Sequence, residues 1–196
     1  MANPWLRATR LLQRIPLALQ RWRAIPRVFS QESLLRSELF SAEQMADHGC
    51  VLAKQHRVSQ LPADDALLVR LSDNEKTLSS SCAAMVSTLP ASQRDMPAAQ
   101  WLLDNFYLVE AHIRIAKSHL PPGYSRQLPR LDNGASSGLP RVYDIALQTI
   151  SHGDGRFDTE SLSGFVEAYQ TITPLTLGEL WAIPIMLRLA LIENLR

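Results

Sequence analysis

Cysteine is nearly missing from this chain. Its 196 residues hold two, Cys50 and Cys82, with no CxxC spacing and no histidine pattern beside them. Neither a zinc site nor a disulfide framework is indicated. A long apolar run is missing too. Pro16 and recurring arginines break the one apolar stretch near the amino terminus, leaving no uninterrupted core for a secretory signal and no span of about 20 apolar residues. The chain is therefore expected on the cytoplasmic side. Charge of either sign is not in excess, with 20 Lys and Arg against 19 Asp and Glu and a formal net charge of +1. That excludes a dedicated nucleic-acid binder, whose surface needs a large cationic surplus. No GxSxG elbow marks a hydrolase nucleophile. Asp104 and Glu110 stand six residues apart, about 240 degrees around a helix, so they do not form a glycosidase pair. Sustained period-two alternation is absent, and little or no sheet is expected.

What remains is ordinary globular composition, 46% hydrophobic and 20% charged, enough to bury a real core. The charge is uneven along the chain. Residues 1–31 carry Arg7, Arg10, Arg14, Arg21, Arg23 and Arg27 and no acid. Interleaved Trp5, Leu12, Leu19 and Trp22 suit either an anionic membrane surface or an acidic protein face; a flexible basic leader is the plainer alternative. The remainder, 32–196, reads as one helical module with subregions near 41–89 and 97–196. Ser41 followed by Gln44 is a capping box opening a helix from Ala42 to about Gln55. Leu67, Leu71, Leu78, Cys82, Met85 and Leu89 form one stripe of a second helix over 62–89. A third, 98–119, ends at the adjacent prolines of "LPPGY", which cannot continue a helix. Further helices are predicted over 140–151, 159–171 and 177–196. The expected fold is all-α, an irregular bundle of about six or seven helices with one long Pro/Gly-rich loop at 124–140.

Two stretches invite a chemical reading. "HGDGRFDTES", His152 to Ser161, imitates half a calcium loop, but Ile150, His152 and Ser161 occupy three ligand positions and lack the carboxylates that such a loop uses. The plainer reading is a glycine turn followed by Asp158 capping the next helix. In and after the long loop, Tyr124, Arg126, Arg130, Asp132, Arg141 and Tyr143 combine aromatic faces with forked guanidinium donors suited to sugars or phosphates. The same side chains could instead fasten the loop to the bundle.

The blocks "RSELFSAEQMADHG", "WLLDNFYLVEAHIR", "LPPGYSRQLPRL", "LPRVYDIALQTISHGDGRFD" and "PLTLGELWAIPIMLRLALIENLR" resemble the amino-terminal region of the cyclic β-1,2-glucan synthases, large bacterial inner-membrane enzymes. The resemblance runs from about Arg36 to Arg196, weakest over 58–98. Leu139, Asp144 and Met96 depart from the family pattern. The resemblance implies polymerisation of glucose from UDP-glucose, with a divalent metal, by domains that follow this region. No catalytic residue carries over: the chain has no DxD, and "LQRWR" at Leu19 to Arg23 only imitates a QxxRW element. The module is expected to be non-catalytic and to need no cofactor of its own, its partner being the rest of the synthase. Thr176 and Glu179 cap the last helix, and beyond Pro184 it is apolar around most of its circumference, which predicts burial on every side. Trp181, Leu187, Leu191 and Leu195 are therefore the candidate interaction surface, the chain is expected to be a fragment or split product, and alone it is expected to self-associate.

Overall fold

The computed structural model describes residues 37–59, 65–88, 97–121 and 123–196, which fall in one unit, Leu34–Arg196. The arginine-rich leader lies outside the described residues. Six α-helices occur among them: α1 (Ala42–Gln55), α2 (Ala66–Thr88), α3 (Pro97–His119), α4 (Arg141–His152), α5 (Thr159–Gln170) and α6 (Leu177–Asn194). The fold is all-α. Strands β1 (Val58–Ser59) and β2 (Arg130–Leu131) form a short antiparallel pair, with Val58 opposite Leu131 and Ser59 opposite Arg130.

The helix starts follow from local chemistry. At α1 the Gln44 amide donates to Ser41 Oγ at 3.2 Å and the Ser41 amide to Gln44 Oε1 at 2.8 Å, satisfying donors a helix otherwise leaves orphaned. Thr176 and Glu179 repeat the arrangement at α6. At α5 the Ser161 amide donates to Asp158 Oδ1 at 2.8 Å, as the turn reading of that stretch expects.

Packing centres on α4. All its residues but Gln148 are buried. Val142, Ala146 and Ile150 join a core with Leu67, Leu71, Val109, Ile113, Met186 and Ile192 from α2, α3 and α6. Ile145 instead joins a second core with Met45, Leu52, Phe165 and Tyr169 from α1 and α5. The α1–α5 contact is close because α1 presents Gly49: a Cβ there would lie 2.6 Å from the Phe165 carbonyl oxygen. Residues 37–40 lie against the carboxyl end of α4, where the Ser37 and Phe40 amides donate to the Ser151 and His152 carbonyls, both at 3.2 Å. Those carbonyls are among the acceptors that a helix end leaves open.

The last helix corrects an expectation. Its apolar circumference is covered by α2, α3 and α4 of the same bundle, with Ala182, Met186, Leu187, Ala190 and Ile192 all buried. Leu187 is core and not docking surface, and Leu191 is half-buried; of these four candidates, Trp181, 78% exposed, and to a lesser degree Leu195 face outward. A helix apolar on all sides needs neighbours all round, and three other helices of this chain supply them. No helix of the described residues is long and apolar enough to cross a membrane.

Candidate functional site

The long irregular stretch between α3 and α4 is stitched down at each step. Asp65, just ahead of α2, accepts from the Gly123 amide at 2.9 Å and from Ser125 Oγ at 2.7 Å, with Arg126 Nε at 3.4 Å. The Ser125 hydroxyl, followed by the Gly123 amide and nearby arginines, holds the Asp65 carboxyl below its ordinary value despite some desolvation. Such bonds favour the charged form. Further on, Asn133 takes the Arg57 amide at 3.0 Å and gives to the Gln55 carbonyl at 2.8 Å, while the Asp132 amide donates to the Arg57 carbonyl at 3.0 Å. Arg130 is buried and donates to the Gly138 carbonyl at 3.0 Å.

Arg141 is the strongest of these fasteners. Its Nε donates to Glu179 Oε1 at 2.6 Å, and its Nη2 to Glu179 Oε2 at 2.8 Å and to the Pro174 carbonyl at 2.9 Å. The guanidinium also lies 6.0 Å from the centre of the Tyr169 ring. Glu179 is fully buried and still caps α6, its Oε2 accepting from the Thr176 amide at 2.8 Å and hydroxyl at 2.9 Å. The fork-to-fork bond raises the Arg141 pKa against the opposing effect of burial. A planar guanidinium meeting a carboxylate in two parallel bonds fixes both angle and distance between α4 and α6.

Tyr143 is buried, and burial pushes its phenol well above the usual range; Glu193 and Arg70, bonded to each other, are its charged neighbours, and Asn74 also donates to Glu193. Of the residues singled out in the sequence, then, Arg130, Arg141 and Tyr143 are interior, Tyr124 is half-buried, and Arg126 lies outside against Asp65. Arg130 and Arg141 are bonded inside the fold, while Arg126 and Asp132 are exposed.

A second network escaped sequence reasoning. His56, two residues before β1, meets Asp144 Oδ2 through Nε2 at 3.1 Å and the Tyr169 hydroxyl through Nδ1 at 2.9 Å, and Ser136 Oγ donates to the other Asp144 oxygen. The carboxylate can only accept, so Nε2 carries the proton and in the neutral ring Nδ1 accepts from Tyr169. The order Ser136, Asp144, His56, Tyr169 puts the serine on the acid and not on the base, so no nucleophile is activated. The network ties α1, the long loop, α4 and α5 together. No local pattern in the sequence joins positions 56, 136, 144 and 169, which only the tertiary fold brings near.

No group of three or more His, Cys, Asp or Glu side chains placed to hold a metal ion occurs among the described residues. What fold and polar contacts define is a helical module whose loop charges are turned inward as fasteners. No family model matches the chain. It is similar to cyclic beta-(1,2)-glucan synthase NdvB of Rhizobium meliloti (strain 1021), 35% identical over 164 residues that make up 83% of this chain. The chain is thus related to a region of a cyclic β-1,2-glucan synthase. That match spans 6% of the synthase's own length.

Proposed function

We propose that this chain is a non-catalytic assembly module of a cyclic β-1,2-glucan synthase-like membrane glycosyltransferase, one that polymerises glucose from UDP-glucose on the cytoplasmic face of a bacterial inner membrane. The observation that carries this reading is the inward use of polar and charged groups in and around the loop: Arg141 with Glu179, Asp65 with Ser125, and His56 with Asp144. Groups bound to one another in the interior serve rigidity, and the outer surface is left for contacts. On that surface α3 carries Trp101, Leu108 and Ile115 exposed at intervals of seven residues, a stripe of about 21 Å on one helix face. Such a stripe suits a helix of the remaining synthase, and the leader adds an attachment to anionic lipid.

Co-expression of this chain with the remaining domains of its synthase tests the reading. The two should purify as one complex, and Trp101→Glu with Leu108→Glu should abolish it while leaving helical circular dichroism unchanged. Assembly that survives both substitutions, or UDP-glucose turnover by this chain alone, refutes it.

A further inference from the structure

The stretch His152 to Asp158, which imitates a calcium loop in sequence, frames a cleft of about 370 Å³ lined by Phe40, Met45, Thr149, His152, Arg156 and Phe157, with Gly153, Asp158 and Ser161 completing its wall. That volume falls in the range of small-molecule sites. The loop holding the cleft is closed by its own backbone hydrogen bonds. Asp154 (φ 51°) and Gly155 (φ 73°) both sit in the left-handed region, and the Gly155 amide donates to the Ile150 carbonyl and the Arg156 amide to the Gly153 carbonyl, each at 3.0 Å. Gly153 is obligatory, because a Cβ there would fall 2.0 Å from the Arg156 carbonyl oxygen. Aspartate tolerates that region in turns, so the loop keeps this shape at low conformational cost.

The turn presents Arg156 and Phe157 outward. Phe157 is 45% exposed, and Arg156 is exposed with no ion pair among the described residues. On the inner wall His152 is 8% exposed and stacks on Phe40 with ring centres 3.9 Å apart and planes 11° apart. Its Nδ1 lies 2.7 Å from the Glu38 carbonyl oxygen, an acceptor, so Nδ1 carries the proton. Its Nε2 has no hydrogen-bond partner among the described residues and in the neutral ring is an acceptor. The cleft thus offers an aromatic face, a guanidinium and a ring-nitrogen acceptor, while Asp158, the one carboxylate in its wall, sets a negative charge near the single arginine.

We propose that this cleft binds glucosyl units of the glucan itself, Phe157 lying against the C–H face of a sugar ring while Arg156 and His152 Nε2 meet its hydroxyls. A neutral saccharide fits better than a nucleotide diphosphate, which one cation beside a carboxylate would not offset. The choice of saccharide rests on the synthase reading above. The site is distinct from the loop between α3 and α4 and from Arg141, which is bonded inward to Glu179.

Titrating the 196-residue chain with β-1,2-linked glucotetraose, and following backbone amide resonances, tests the assignment. Saturable shifts should centre on residues 40 and 152–161. Phe157→Ala should weaken binding about tenfold, or about 1.4 kcal/mol, and Arg156→Ala should weaken it as well. Thermal unfolding should be unchanged in both; if Phe157→Ala does lower the midpoint, Phe157→Leu keeps the bulk while removing the π face and should show the same loss. Absence of saturable shifts, equal affinity in the Phe157 variants, or tighter binding of UDP-glucose at the same resonances overturns the proposal. A chain that assembles with the synthase but ignores the saccharide sinks this inference alone; one that binds saccharide without assembling sinks only the assembly reading.

Discussion

Removing Glu179 should be strongly destabilising, because it is fully buried and paired with a buried guanidinium. In Glu179→Ala the Arg141 guanidinium stays buried with the Pro174 carbonyl as its remaining described acceptor, and α6 loses the acceptor for the Thr176 amide. Breaking a buried ion pair from one side costs about 3 to 5 kcal/mol, mostly because the surviving charge is left without its counter-ion. At about 2 to 4 °C per kcal/mol for a domain of this size, the thermal midpoint should fall by roughly 6 to 20 °C. Glu179→Gln separates the two roles. The amide oxygen preserves the cap but brings no charge, so the variant should lie between Ala and the parent. Arg141→Leu with Glu179→Leu removes both charges and should be less destabilised than Glu179→Ala, since an apolar pair leaves nothing uncompensated. Urea unfolding of the four proteins measures all three differences. If Glu179→Ala costs under about 1 kcal/mol, or the double variant is the least stable of the set, the bond is not the α4–α6 fastener described here.

Two further outcomes follow from neighbouring features. Gly49→Ala should destabilise by about 1 to 3 kcal/mol because its methyl meets backbone and ring atoms of Phe165 that cannot withdraw; Gly164→Ala, with nothing within 4 Å of the added atom, should be neutral or stabilise by up to about 1 kcal/mol, and denaturant midpoints of the pair will show it. Burial, reinforced by nearby His152 and opposed by the Gln148 bond, lowers the His48 pKa below its usual 6.5. A base with a depressed folded pKa contributes stability above the unfolded value that is lost as pH falls below about 6.5; His48→Gln should flatten that limb of a stability-against-pH profile, and an unchanged slope would refute the assignment.

Helix positions were legible because their signals are local. Ser41 with Gln44, Asp158, Thr176 and the adjacent prolines after Leu120 mark starts and stops within a turn of where the structure has them. The surroundings of α6 were not legible: a helix apolar on every side says that it must be covered, but not whether by its own bundle or by a stranger. Periodicity is blind to that choice, and Leu187, expected at a docking surface, lies in the bundle's own core. The loop arginines failed for a related reason. Whether Arg141 faces a ligand or Glu179, 38 residues away, is decided by how α4 and α6 cross. Asp144, noted only as a departure from a family pattern, anchors His56 from the far end of α1. The turn bearing Arg156 and Phe157 is legible in its glycines, but the cleft beside it needs Phe40 from a segment more than a hundred positions earlier.

Because α4 gives Ile145 to one core and its neighbour Ala146 to the other, the two clusters are not separable units. Loosening either moves a helix that the other packs against. Residues 145 and 146 therefore sense different neighbours but a common melting event, and a probe at each should trace a single curve. The bundle should therefore unfold as one unit, so that neither apolar cluster is bared while the other stays packed.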